Sequence, residues 1–175
     1  MARNRHTTSW HFLIGSTLAL AALLAATSAA SAAVEVNFVN PDSYTDAGTS
    51  YNGTGKGRDA NLKQIASYLD KLGARYLAPG QVLHIDVLNV DLAGQFEPWR
   101  ALALHVRFVR PTTWPRIEVR YTLSENGQVV KRADETVIDV NYQMRAYSAL
   151  SSDPLRYEKA MLDDWFKTRF APAMH

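Results

Sequence analysis

The sequence predicts an α+β fold, a two-layer sandwich in which a mostly antiparallel sheet of about five strands carries two helices on one face. Three observations support this prediction: several segments alternate apolar and polar residues, two segments show helical periodicity, and an Asn-Gly pair joins two of the alternating segments. A run of strands between two helices favours an antiparallel sheet over the regular strand–helix alternation of parallel folds. Strand order cannot be read from these patterns.

The first strand and the first helix follow from their periodicities. Residues 34–39, VEVNFV, alternate as a half-buried strand does. Residues 42–57 are rich in Ser, Thr, Asn and Gly and lack periodicity, which indicates a loop. Asp59 is expected to cap a helix that runs to about Leu77 and ends before Pro79-Gly80.

The middle of the chain predicts the remaining strands, which are residues 82–92, 104–109, 116–123 and 129–140. The alternation in the first of them blurs near Asn89, as a β-bulge would cause. Asn126-Gly127 suits a type I′ turn, because both central residues of that turn need positive φ. The last strand has a polar middle and therefore indicates a sheet edge or a bulge.

The final helix is expected to open at Ser152-Asp153-Pro154, with Asp153 as its cap and Pro154 in its first turn. Its apolar side consists of Leu155, Leu162, Trp165, Phe166 and Phe170. The solvent face of the sheet would carry the charged and histidine side chains of the strands, which are His84, Asp86, His105, Arg107, Glu118 and Arg120. Cross-strand charge pairing on a wet face explains such a set better than a functional site does.

The N-terminus has the pattern of a secretory signal peptide. Arg3 and Arg5 precede the apolar run 12–26, and Ala30-x-Ala32 forms a small-residue cleavage motif. We therefore expect a leader over residues 1–32 and a single domain over residues 33–175. The apolar run is short for a membrane anchor, so no membrane span is expected after cleavage. The expected location is the periplasm or the exterior.

Charge and cysteine content narrow the possible partners. The leader contains two of the 19 Lys and Arg residues and none of the 17 Asp and Glu residues, so the remaining chain is balanced. A balanced chain does not favour nucleic acid as a partner. The absence of cysteine means that a packed core, and not disulfide bonds, must stabilise the exported domain.

Five blocks of the sequence resemble a known family: VNFVNPDSYTD, VLNVDLAGQFEPW, TWPRIEVRYTL, DVNYQM and SSDPLRYEKAMLDDWF. Their order and content are similar to the bacterial family called domain of unknown function 3016. The resemblance covers about residues 34–171. It implies an exported protein of the bacterial cell envelope or periplasm, and it carries no activity, cofactor or catalytic residue.

Common catalytic motifs are not matched. The glycine stretch at Gly53, Gly55 and Gly57 lacks the spacing of a phosphate loop and the hydroxyl residue that would follow Lys56. No G-x-S-x-G elbow is present. His84-x-Asp86 beside His105 is the best candidate for a metal site, but a solvated histidine is the commoner interpretation. We predict neither a metal nor another cofactor.

The candidate binding residues lie at strand ends and in loops, and they are Asp91, Glu97, Trp99, Trp114, Asn141 and Tyr142. We expect both tryptophans at one end of the sheet with the others nearby, although packing of the tryptophans at the sheet ends is the simpler alternative. The leading hypothesis is a non-enzymatic envelope protein that binds another envelope protein or a small ligand, or supports an assembly. The alternative is a periplasmic hydrolase that uses carboxylates near Asp91 and Glu97.

Overall fold

A computed structural model describes residues 31–51, 55–145 and 151–171. The predicted leader lies almost entirely outside these residues, and so does Gly53 of the glycine stretch. The elements, in chain order, are β1 (Ala33–Phe38), α1 (Gly55–Tyr76), β2 (Gln81–Asp91), β3 (Gln95–Phe96), β4 (Arg107–Phe108), β5 (Arg116–Glu125), β6 (Gln128–Ile138) and α2 (Arg156–Phe170).

The predicted α+β sandwich is confirmed. The main sheet has four strands in the order β1-β2-β5-β6, and β3 and β4 form a separate two-stranded sheet. β1 runs parallel to β2, whereas the β2–β5 and β5–β6 pairs are antiparallel. The predicted strand 104–109 was wrong as a member of the main sheet, because only Arg107 and Phe108 pair, and they pair with β3.

One continuous hydrophobic core joins the sheet to both helices. Leu83, Ile85 and Val87 of β2 face it, together with alternate residues of β5. The helices supply the opposite layer through Ile65 and Phe166, both of which are fully buried. A cluster of four rings lies in this core, with centroids 5.1 to 5.8 Å apart in edge-to-face pairs, and it consists of Tyr121, Trp165, Phe166 and Phe170.

Both helices begin at other residues than the sequence predicts. α1 starts at Gly55, four residues before Asp59, and the Asp59 carboxylate accepts hydrogen bonds from its neighbour Arg58 instead of capping the helix. Gly57 lies in the first turn of α1, where a Cβ would come within 2.2 Å of Thr49 Oγ1. The glycine is therefore explained by close packing against the preceding loop.

α2 starts at Arg156, and Asp153 is not the N-cap residue itself. Asp153 nevertheless organises the helix entrance, because its Oδ1 accepts the Leu155 backbone N–H at 2.9 Å. The Arg156 N–H donates to the Asp153 carbonyl oxygen. The Asp153 side chain thus acts two residues before the N-cap residue Leu155, on the turn that leads into α2.

The turn and bulge predictions are confirmed. The β2–β5 register shifts between Val87 and Asn89, where Leu88 is the extra residue. Asn126 and Gly127 have φ values of 51° and 81°, as a type I′ turn requires. β6 is an edge strand, and its register with β5 shifts near Val130.

The solvent face of the sheet carries four of the six side chains expected there. Arg120 donates to Asp134 of β6 at 2.8 to 3.2 Å, and His84 lies 3.4 to 3.5 Å from the carboxylates of Asp86 and Glu35. His105 and Arg107 belong instead to the β3–β4 region. Among the residues that the structure describes, no three His, Asp or Glu side chains come together as a metal site would require.

Candidate functional site

A polar cavity of about 460 Å³ opens at the end of the main sheet where β2 ends and β5 begins. We call it the sheet-end cavity. Its walls come from the end of β2, the loop before β5 and the loop before α1, through Thr45, Asp46, Asp91, Leu92, Gly94, Gln95, Thr112, Thr113, Trp114, Arg116 and Ile138. Its volume lies within the range of small-molecule sites in proteins.

Strand pairing places Asp91 in this cavity. After the bulge in β2, Val90 faces the core, and Asp91 therefore points away from it. Asp91 pairs with Arg116 of β5, which in turn pairs with Ile138 of β6. Three neighbouring strands thus bring a carboxylate, a guanidinium and an exposed apolar side chain to one edge of the cavity.

The Asp91–Arg116 pair is incompletely satisfied. Arg116 Nη2 donates to Asp91 Oδ2 at 3.2 Å, while the buried Arg116 Nε has no hydrogen-bond partner among the described residues. Burial raises the pKa of Asp91, and the nearby Arg116 charge lowers it by less. A carboxyl that lines a cavity, with its pKa raised by burial and a charged partner beside it, is typical of binding and catalytic sites.

A second ion pair fixes the loop that closes the cavity. Arg107 donates to both Asp46 oxygens at 2.7 and 3.0 Å, in the two-point geometry that arginine and carboxylate favour. The Asp46 backbone bonds to Val90 and Leu92 on either side of Asp91. The wall beside Asp91 is therefore held by backbone and side-chain bonds together.

Both candidate tryptophans are exposed. Trp114 lines the cavity with 41% of its surface accessible, and its indole N–H donates to the Pro111 carbonyl oxygen at 2.7 Å, which fixes the ring. Trp99 is 70% accessible and does not line the cavity. The packing alternative is therefore wrong for Trp99 and Trp114, since neither ring fills the interior.

Glu97 is buried, whereas a catalytic carboxylate must be accessible to its substrate. Its side chain is 1% accessible and forms ion pairs with Arg100 and Arg110. Hydrogen bonds from Arg110 and then Arg100 lower the pKa of Glu97 below its ordinary value. The carboxylate therefore stays ionised and occupied by two guanidinium groups.

Tyr142 and Asn141 also support the loop before β5. Tyr142 is fully buried, its hydroxyl donates to the Arg110 carbonyl oxygen at 2.6 Å, and it lies 3.3 Å from Thr113 Oγ1. Asn141 is exposed, and its backbone N–H donates to Asp139. Of the six predicted residues, Asp91 and Trp114 line the cavity, while Tyr142 contacts the segment that leads into Trp114.

Sequence reasoning missed two charged residues of this site, Asp46 and Arg116. Arg116 could have been found by aligning the ends of two predicted antiparallel strands, because it then falls opposite Asp91. Asp46 carries no such signal, since it lies in a loop without periodicity. Its role depends on Arg107, which is 61 residues away in the chain.

None of the helices within residues 31–51, 55–145 and 151–171 is long and apolar enough to cross a membrane. Searches of curated proteins and of solved structures find no match to this chain. A family model, described as protein of unknown function (DUF3016), matches residues 32–168, which is most of the chain. The resemblance drawn from the five sequence blocks is thereby confirmed, and the chain belongs to the DUF3016 family.

Proposed function

We propose that this protein is a non-enzymatic binding protein of the bacterial cell envelope, which holds another envelope component at the sheet-end cavity. The observation that carries the proposal is the exposed Trp114 ring beside the Asp91–Arg116 pair. A fixed aromatic ring supplies apolar contact area at low entropic cost, and the partly exposed Arg116 guanidinium, which also lines the cavity, adds a positive charge. Trp99 is a second exposed indole ring, and it lies outside the cavity lining.

A hydrolase using carboxylates near Asp91 and Glu97 is the second candidate, and the raised pKa of Asp91 is the observation in its favour. Acid–base catalysis by two carboxyl groups needs both to reach the substrate. Glu97 is buried and bound by two arginines, so it lacks that access. Binding is therefore the better supported function, and an Asp91→Asn variant that lost a hydrolytic activity of the purified protein would favour the second candidate.

The location in the envelope is proposed from the N-terminal pattern, namely Arg3, Arg5, the apolar run and Ala30-x-Ala32. The protein recovered from cells that express the full chain should begin at Ala33 or Val34. Intact-mass and N-terminal peptide measurements would show this directly. Recovery of the protein from the envelope with Met1 still attached would contradict the proposal.

Binding at the sheet-end cavity can be tested with paired tryptophan variants. The binding component is first isolated from the envelope with the tagged full chain and identified by mass spectrometry, and its affinity is then measured by calorimetry. Trp114→Ala should weaken that affinity roughly ten- to hundredfold, the usual scale for an exposed aromatic anchor. Trp99→Ala tests whether the contact extends beyond the cavity.

Val129→Ala is the matched control, because Val129 is an exposed apolar residue at the opposite, hairpin end of β6. It should leave the affinity unchanged. A Trp99→Ala, Trp114→Ala double variant that folds, as judged by circular dichroism, and binds as tightly as the parent would exclude this surface as the binding site.

A further inference from the structure

The free edge of the main sheet has a self-complementary pattern of charge. β6 pairs with β5 on one side, and within the described part of the chain no strand pairs with its other side. Its central residues read Lys131, Arg132, Ala133, Asp134, Glu135, with two cations followed by a small residue and two anions. We infer that β6 pairs antiparallel with β6 of a second copy, about a two-fold axis that passes through Ala133.

In that register, opposite charges face each other on both sides of the joined sheet. The two-fold axis places Arg132 opposite Asp134 of the second copy on the solvent face. It places Lys131 opposite Glu135 on the helix face. Residues directly opposite each other in an antiparallel pair share a face and interact, and each of these contacts occurs twice because the interface is symmetric.

Neighbouring registers are disfavoured by the same residues. Residues that lie opposite each other must point to the same face of the sheet. The two-fold axis can therefore pass only through a residue, and the nearest alternatives to Ala133 are Arg132 and Asp134. An axis at Arg132 brings this side chain opposite its own copy, and an axis at Asp134 does the same for that carboxylate. Like charges directly opposite are destabilising, so the charge pattern selects Ala133 as the centre.

The solvent-face side chains are accessible for this contact. Asp134 is more than half exposed, and among the described residues its hydrogen bonds come from Arg120, while Arg132 donates to Thr122 Oγ1 at 3.3 Å. Glu135 differs, since Tyr121, Trp165 and Arg169 already donate to it. The experiment therefore changes Arg132 and Asp134, because these two residues can be replaced with little effect on the core.

The edge strand is also long enough and regular enough to pair. β6 spans Gln128–Ile138, and its register shift near Val130 leaves residues 131–138 regular. Backbone N–H and C=O groups of an unpaired strand edge provide a template for another strand. The resulting dimer would join two four-stranded sheets into one continuous sheet, with the helices of both copies on the same face.

A charge-swap experiment tests the proposal. Protein purified after expression of the full chain should be a dimer at micromolar concentration by light scattering and sedimentation. Arg132→Asp makes both positions acidic, and Asp134→Arg makes both basic, so each variant alone should dimerise roughly ten- to hundredfold more weakly. An equimolar mixture should form a heterodimer with the affinity restored, because each acidic strand then faces a basic strand.

Lys71→Glu on the exposed face of α1 is the control for a change of net charge, and it should leave dimerisation unaltered. Thermal unfolding of each variant checks that it is folded. The unmodified protein supplies a second readout, since its dimer should weaken as sodium chloride is raised. Any of four results would overturn the inference. The parent could be a monomer at every soluble concentration, or its dimer could be insensitive to salt. Alternatively, both variants could still dimerise as tightly as the parent, or their mixture could remain monomeric.

Discussion

Replacing Tyr142 with alanine is expected to lower the free energy of unfolding by about 3–5 kcal/mol, the range for removal of a large buried ring. Tyr142 is completely buried and packs edge-to-face on Tyr157, with the ring centroids 4.8 Å apart. Tyr142→Phe keeps the ring and removes only the hydroxyl that donates to the Arg110 carbonyl oxygen, so its cost should be about 1 kcal/mol. Urea unfolding followed by circular dichroism measures both values.

Tyr51→Ala is the matched control, because Tyr51 is a tyrosine with more than half of its surface exposed. Its effect should be within about 0.5 kcal/mol. If Tyr142→Ala were equally mild, Tyr142 would not be a structural residue, and its assignment as support for the loop before Trp114 would be wrong. If Tyr142→Ala had a mild effect on stability but strongly weakened partner binding, Tyr142 would instead be a binding residue.

Glu158→Gln is expected to increase the free energy of unfolding by about 1–3 kcal/mol at pH 8, because a neutral amide is less costly to bury than a carboxylate or than a carboxyl that must take up a proton at that pH. Glu158 is 1% accessible, its Oε1 accepts the Ala93 N–H at 2.7 Å, and its Oε2 has no partner among the described residues. Burial raises the pKa of Glu158 above its usual value of 4.5. Glutamine keeps the acceptor for Ala93 without the need to hold a proton.

The pH dependence of this effect has a definite sign. Because the pKa of Glu158 is higher in the folded chain, the folded state binds the proton more tightly than the unfolded state does. The associated stability is fully present below about pH 4.5 and is lost as the pH rises through the folded-state pKa. The advantage of Glu158→Gln should therefore be small at pH 4.5 and grow toward pH 8. Equal urea midpoints of variant and parent at both pH values would contradict the assignment.

Most of the fold could be predicted because its strands are buried on one face only. That burial imposes alternation on β1, on β5 and on β2 except at its bulge, and helical periodicity follows from the same core in α1 and α2. Residues 104–109 alternate without being buried on one side, since His105 and Val106 are exposed. Alternation without a long partner strand yields only the two-residue β4 here, and this explains the wrong prediction of a strand in the main sheet.

The candidate site was predictable only in part. Asp91 and Trp114 could be placed together on the assumption that neighbouring strands run antiparallel, because the end of β2 and the start of β5 then lie at one end of the sheet, as they do. The burial of Glu97 could not be predicted, because it depends on Arg110, a loop residue 13 positions away. Local periodicity contains no information on ion pairs between loops. Glu97 was therefore predicted as an accessible binding residue, whereas its side chain is buried.

The extra residue in β2 has a consequence for how the site could change. Leu88 has no partner in β5, whereas Val87 and Asn89 face consecutive residues of that strand. The inward and outward assignments on both sides of Leu88 therefore agree with an uninterrupted ladder, and the bulge alters only the local bend and twist. Deletion of Leu88 should therefore change how Asp91 is directed at the end of β2 while the inward-facing residues of β2 keep their places in the core.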